Sequence, residues 1–139
     1  MFKCVVVGLD ASDSSKRALL AALTTTNGAE RIVAVSVEEH LPQYVAMRGE
    51  MDEAKQVADE FFERIGREAA DLAKQHGREI EFKLLRGHAA QRIVEFARDE
   101  RADLIVIGHS GHTGAVGTFL GTTAEKIVRH APCSVLVVR

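Results

Sequence analysis

The sequence predicts an α/β chain, an open five-stranded parallel sheet sandwiched in three layers, α/β/α. Three observations carry this. Apolar runs without alternation, Cys4-Val-Val-Val7 and Leu104-Ile-Val-Ile107, suit strands buried on both faces. Between the runs lie stretches with apolar residues at i, i+3 and i+4, the spacing of helices that pack one face on a sheet. The two patterns alternate from end to end as β-α-β-α-β-α-β-α-β, which calls for right-handed crossovers between parallel strands. A chain of 139 residues is long enough for a real core and is expected to form one domain over 1–139.

Taken in order, Phe2 to Leu9 reads as the first strand. Asp10-Ala-Ser-Asp-Ser-Ser15 is rich in helix-capping residues, with Asp13 the expected cap. Ala18, Leu19, Ala22 and Leu23 mark the first helix, which Asn27-Gly28 ends. Ile32 to Val37 is the second strand, and polar Glu38 to Gly49, containing Pro42, reads as a loop near the mouth of a site. The longest helix is expected from about Met51 to His76, with Gly77 as its C-cap. Ile80 to Leu85 alternates, as Ile80, Phe82 and Leu84 against Glu81 and Lys83, which suits an edge strand exposed on one face. A turn at Gly87-His88 leads to a third helix marked by Ala90, Ile93, Val94 and Ala97. Leu104 to Ile107 is the fourth strand. A short fourth helix follows to about Arg129, then Pro132 and a final strand, Ser134 to Val138.

Composition excludes several function classes. The formal net charge is −2 with no basic block, which argues against nucleic acid as a partner. No apolar run approaches the roughly 20 residues that span a bilayer, and the N-terminus lacks a signal-peptide pattern, so no membrane association and a cytoplasmic location are expected. Cys4 and Cys133 supply neither a disulfide framework nor a metal-ligand cluster and read as structural thiols.

The chemistry concentrates in Gly108 to Thr123, where Gly108, Gly111, Gly114, Gly117 and Gly121 link a strand to a helix start. Backbone N–H groups without intrahelical partners and a partial positive charge at such a place favour a bound anion. Glycine at 111 and 121 lets backbone approach phosphate closely, and Thr122 and Thr123 add hydroxyls. The plainer alternative is a glycine-rich loop whose Thr122 merely caps a helix. Gly108-His-Ser-Gly111 misses the Gly-x-Ser-x-Gly nucleophile elbow by one residue, and Gly121 is followed by Thr rather than the Lys of a P-loop. His112 suits a phosphate donor, especially when protonated, whereas His109 reads as a solvated loop residue.

Gly108-x2-Gly111-x9-Gly121-Thr122 resembles the nucleotide-binding signature Gly-x2-Gly-x9-Gly-(Ser/Thr) of the universal stress protein family, in its ATP-binding branch. The likeness extends to the strand ending at Asp10, to Gly87, to Ala102-Asp-Leu-Ile-Val-Ile-Gly108 and to Ala131-Pro-Cys-Ser-Val-Leu-Val-Val138. It implies a Rossmann-like fold of the adenine nucleotide alpha hydrolase-like kind with strand order 3-2-1-4-5. It further implies a nucleotide site built from Gly8, Leu9, Asp10, Ala11, Val37, Ile107, Gly108, Gly111, His112, Gly121, Thr122 and Thr123. Asp10 would meet the ribose hydroxyls, and Val37, with Val35 the alternative, would line the adenine pocket. The resemblance also implies ATP, AMP or cyclic AMP as the ligand, with Mg²⁺ held through the phosphates and the Thr122 hydroxyl as its candidate protein contact. Homodimers through Ser134–Val138 are implied, together with a protein partner of unknown identity. The function so expected is an ATP-binding stress-response regulator. The rivals are a slow ATPase or adenylyl-transferring enzyme and a nucleotide-free protein-interaction module.

Overall fold

A computed structural model of the chain describes residues 2–39, 48–110 and 120–139. Strands Cys4–Gly8 (β1), Arg31–Glu38 (β2), Glu81–Arg86 (β3), Leu104–Gly108 (β4) and Ser134–Val138 (β5) form one sheet in the order β3-β2-β1-β4-β5, every pair parallel. Helices Asp13–Thr25 (α1), Arg48–Gln75 (α2), Ala89–Asp99 (α3) and Thr122–His130 (α4) join them. This is the open three-layer sheet that the sequence pattern predicts, with the 3-2-1-4-5 order that the family resemblance implies.

Two apolar layers follow from the period-2 alternation of side chains along each strand. Val5, Val7, Ala34 and Val106 pack under Ala18, Leu19, Ala22 and Leu23 of α1 and Ile65, Ala69 and Ala73 of α2. Val6, Val33, Val35 and Ile105 pack under Ile93, Val94 and Ala97 of α3 and Ala124 and Ile127 of α4. Every residue of β1 is buried, as its unbroken apolar run requires of a central strand.

Several local expectations are corrected. The side-chain cap of α1 is Ser12, whose hydroxyl accepts from the Ser15 N–H at 3.2 Å; Asp13 is the first helical residue. Its charge still sits at the positive helix end. Phe2 stands outside the strand and is exposed, while β2 gains Arg31 and Glu38, which pair with Cys4 and Arg86. Glu38 and 48–49 therefore leave the expected loop, and α2 starts at Arg48 because one glycine costs a propagating helix only about 1 kcal/mol. The expected Pro42 loop otherwise falls outside the described residues. In β3, Leu84 is exposed and Leu85 is half-buried against the opposite layer, so the strand does not present one clean apolar face. An edge strand has only one neighbour, and here cover is shared between the two faces.

Gly77 does end α2. Its φ of +66° allows its N–H to reach the Lys74 carbonyl at 3.0 Å and the Arg78 N–H to reach Ala73 at 2.9 Å. That pair of bonds is the Schellman closure.

Candidate functional site

In a 3-2-1-4-5 sheet the strand order reverses between β1 and β4, and the loops leaving those strands diverge to opposite faces, opening a crevice. A cavity of about 520 Å³ lies there, within the usual size range of small-molecule sites. Its apolar part comes from Val35, Val37, Ala89, Ile93, Ile107 and Leu120. Its polar part comes from Asp10, Ser12, Ser14 and Ser15 on one side and Ser110 and Gly121–Thr123 on the other.

The β1 side is a tied loop. Leu9 N–H donates to the Val35 carbonyl at 2.8 Å, and the buried Ser36 hydroxyl donates to the Leu9 carbonyl at 2.8 Å. The Asp10 carboxylate accepts the Ser12 N–H at 2.9 Å, while the Asp10 N–H donates to the Ser15 hydroxyl at 3.3 Å. Between them Ala11 takes the left-handed φ of 67°, a conformation that costs an L-residue roughly 1–2 kcal/mol. The loop thus holds an exposed carboxylate at the cavity wall.

The β4 side is set by two backbone bonds. His109 N–H donates to the Val138 carbonyl at 2.7 Å, prolonging the β4–β5 ladder. Gly121 N–H donates to the His109 carbonyl at 2.9 Å, which brings the start of α4 against the end of β4. Gly121 is the N-cap and offers no side-chain cap; the first helical bond runs from Glu125 N–H to Gly121. Among the described residues, the amides of Thr122, Thr123 and Ala124 have no partner, so the positive end of α4 is open at a cavity that Thr122, Thr123 and Ala124 all line.

Ser14 joins the two sides. Its hydroxyl, on a residue only 3% exposed, donates to the Ser110 carbonyl, and the Ser14 Oγ accepts in turn from the Ser110 N–H at 3.4 Å. Gly108 is what allows this approach: a Cβ there would stand 2.7 Å from the Ser14 carbonyl carbon. Backbone at that distance cannot be moved aside by a rotamer change.

Of the residues expected at the site, Gly8, Leu9, Asp10, Val37, Ile107, Gly108, Gly121, Thr122 and Thr123 all line the cavity. Ala11 does not: its methyl packs with the apolar layer beneath α1 and α2. The left-handed turn at Ala11 accounts for this, since it sends that side chain away from the crevice. Gly111 and His112 lie outside the described residues. Sequence reasoning missed Ser14 and Glu39, and also Ala89 and Ile93 of α3. Ile93 belongs to the inward stripe of α3, so its place was readable only once α3 was assigned to the layer over β1, β2 and β4. Ser14 resembled one more capping serine.

The cysteines lie apart from this cavity, beneath the α3–α4 layer. Burial is the main reason both thiols titrate above their ordinary range, and the Asp103 carboxylate adds to it, so both stay protonated near neutrality. Among the described residues no three His, Cys, Asp or Glu side chains converge to hold a metal, and no helix is long and apolar enough to cross a membrane.

Residues 1–139 match the model of the universal stress protein family. A universal stress protein of Thermus aquaticus is 34% identical over 148 aligned residues that cover the whole of both chains. UspA, a universal stress protein from Lactobacillus plantarum, superposes with a TM-score of 0.85 at 21% identity, over 99% of this chain and 97% of its own; at that identity the likeness shows the fold. A universal stress protein solved in complex with cAMP is 29% identical, with a TM-score of 0.71 over 99% of this chain and 97% of that one.

Proposed function

Because the chain belongs to the universal stress protein family, we propose that it is an adenine-nucleotide-binding regulator of the stress response. One observation carries the reading: a single cavity at the β1/β4 reversal has an apolar end, a carboxylate on one wall and an open helix start on the other. Those three surfaces match the three parts of a nucleotide. The base would lie against Val35, Val37, Ile93 and Ile107. The ribose hydroxyls would donate to Asp10. The phosphate would meet the amides of Thr122 and Thr123 and their hydroxyls, with Gly108 and Ser110 beside it. Gly111 and His112 are assigned to the phosphate end by the spacing of the glycine signature. The cAMP-bound relative supports an adenine nucleotide in this fold; ATP and AMP belong to the same ligand class. A phosphate-bound Mg²⁺ would find the Thr122 hydroxyl as its protein contact.

Binding rather than turnover is the favoured activity. Phosphoryl transfer asks for charge neutralisation and an oriented nucleophile, and the described lining offers mainly amides and neutral hydroxyls. Regulation would then work by linkage, the nucleotide populating the state that binds it better. The partner-facing surface is assigned to β5. Among the described residues its outer edge has no pairing strand, Leu136 is 37% exposed there, and Leu20 of α1 is 41% exposed; Arg17 Nε of the same helix donates to the Arg139 carbonyl at 2.8 Å. The β3 edge carries Glu81, Lys83 and Arg86, charges that discourage pairing. A two-fold pairing of β5 edges would make the dimer, and a cytoplasmic setting is part of the same proposal.

Thermal unfolding tests the reading. Cyclic AMP at 100 times its dissociation constant should stabilise the chain by about 2.7 kcal/mol, roughly 8 °C in Tm for a chain of this size. No shift with cyclic AMP, AMP or ATP would remove the nucleotide from the account.

A further inference from the structure

We propose that a second cavity, between α1 and α2, is a site for a free α-amino acid with an apolar side chain, and that its occupant tightens nucleotide binding. The site stands on its own geometry; the coupling rests on the nucleotide reading above.

This cavity measures about 170 Å³. The β1 loop contributes Leu9 and Ala11, α1 contributes Leu19, and α2 contributes Ile65, Ala69 and Leu72. Leu9, Leu19, Ile65 and Ala69 are buried, so its floor is apolar core. Alanine at 11 and 69 leaves a gap that larger side chains would close. A cavity of about 150 Å³ lined by Leu, Ile and Phe admits benzene, so this one has room for a branched aliphatic group or a single ring. Lys16 and Glu68 also line it, and both are exposed. Helix spacing puts them there: Lys16 is three residues before Leu19, and Glu68 lies three after Ile65 and four before Leu72. An apolar floor with one cation and one anion at its mouth is complementary to a zwitterion. An α-amino acid would offer its carboxylate to Lys16 and its ammonium to Glu68 while its side chain leaves water. A simple carboxylate or a simple amine would meet one partner and one like charge.

The two cavities share a wall, because Leu9 and Ser15 line both. Its loop also carries Asp10 on the nucleotide side. The Ser15 hydroxyl accepts the Asp10 N–H at 3.3 Å, and the Leu9 carbonyl accepts from Ser36. Ala11, at its left-handed φ of 67°, lines the second cavity and not the first. An occupant packed against Ala11 supports that turn and populates the loop conformation that presents Asp10 to the nucleotide. Linkage then requires the nucleotide to tighten the amino acid by the same factor.

NMR titration of the full chain with isotope-labelled L-leucine, without and with saturating cyclic AMP, tests both parts. Leucine should bind in the millimolar range, and cyclic AMP should tighten it at least about fivefold. Isocaproate and isoamylamine, each lacking one of its charges, should bind at least about threefold more weakly. Lys16→Gln should erase the advantage over the amine, and Glu68→Gln the advantage over the carboxylate. Ala69→Met, which fills the cavity with an adaptable side chain, should abolish leucine binding and leave cyclic AMP binding in place. No leucine binding by the parent, or equal binding by parent and Ala69→Met, would overturn the site. Isocaproate or isoamylamine binding as tightly as leucine would overturn the zwitterion assignment. Leucine binding that cyclic AMP leaves unchanged, in a chain that binds the nucleotide, would overturn the coupling alone. Failure of every nucleotide to bind would overturn the coupling and the nucleotide reading and leave the leucine site standing.

Discussion

Gly108→Val should both destabilise the chain and abolish nucleotide binding. Even the first carbon of the new side chain would stand 2.7 Å from backbone of Ser14, so the start of α1 must move away from the end of β4. Overpacking of this kind costs about 2–3 kcal/mol, roughly 6–10 °C in Tm for a chain of this size. The displacement also separates Ser14 from Ser110 and pulls apart the two walls of the cavity. Thermal scans with and without cyclic AMP check both parts: a lowered ligand-free Tm and no ligand-induced rise. Ser14→Ala is the companion variant, because it keeps the close approach and removes only the hydroxyl bridge. A valine variant that unfolds at the parent temperature would show that the two loops are not held at this distance.

Asp10→Ala should weaken nucleotide binding by roughly 10–100-fold, the equivalent of about 1.5–3 kcal/mol for a charge-assisted hydrogen bond to the ribose. The same carboxylate accepts the Ser12 N–H, so part of any effect could come from a loosened loop. Asp10→Asn separates the contributions, since its amide oxygen can still accept from Ser12. Comparing cyclic AMP with its 2′-deoxy analogue completes the cycle. The parent should prefer the ribose form, and the alanine variant should lose that preference. Equal binding by parent and both variants would take Asp10 out of the site.

Much of this arrangement was legible in the residues. Unalternated valine and isoleucine runs marked β1 and β4 as central strands, and both are buried. The glycines after Ile107 and before Thr122 marked the helix start that opens on the cavity. Less legible features depended on tertiary packing. Ser12 and Asp13 are both good caps by type, and only the backbone turn at Ala11 decides in favour of Ser12. Leu84 fits an alternating strand, yet whether it is covered depends on what lies over that edge. Ser14 carries no sequence mark that separates it from its neighbours; its bridge to Ser110 spans 96 residues.

The central claim is that one cavity, at the ends of β1 and β4, holds an adenine nucleotide with its base against the α3 side. Photoaffinity labelling with 8-azidoadenosine cyclic monophosphate, followed by peptide mapping, tests that claim most directly. The account predicts one label per chain, competed by unlabelled cyclic AMP, on peptides containing Val35–Glu39 or Ala89–Ile93. Label that resists competition, or that falls on the α2 or β3 surface, would contradict it.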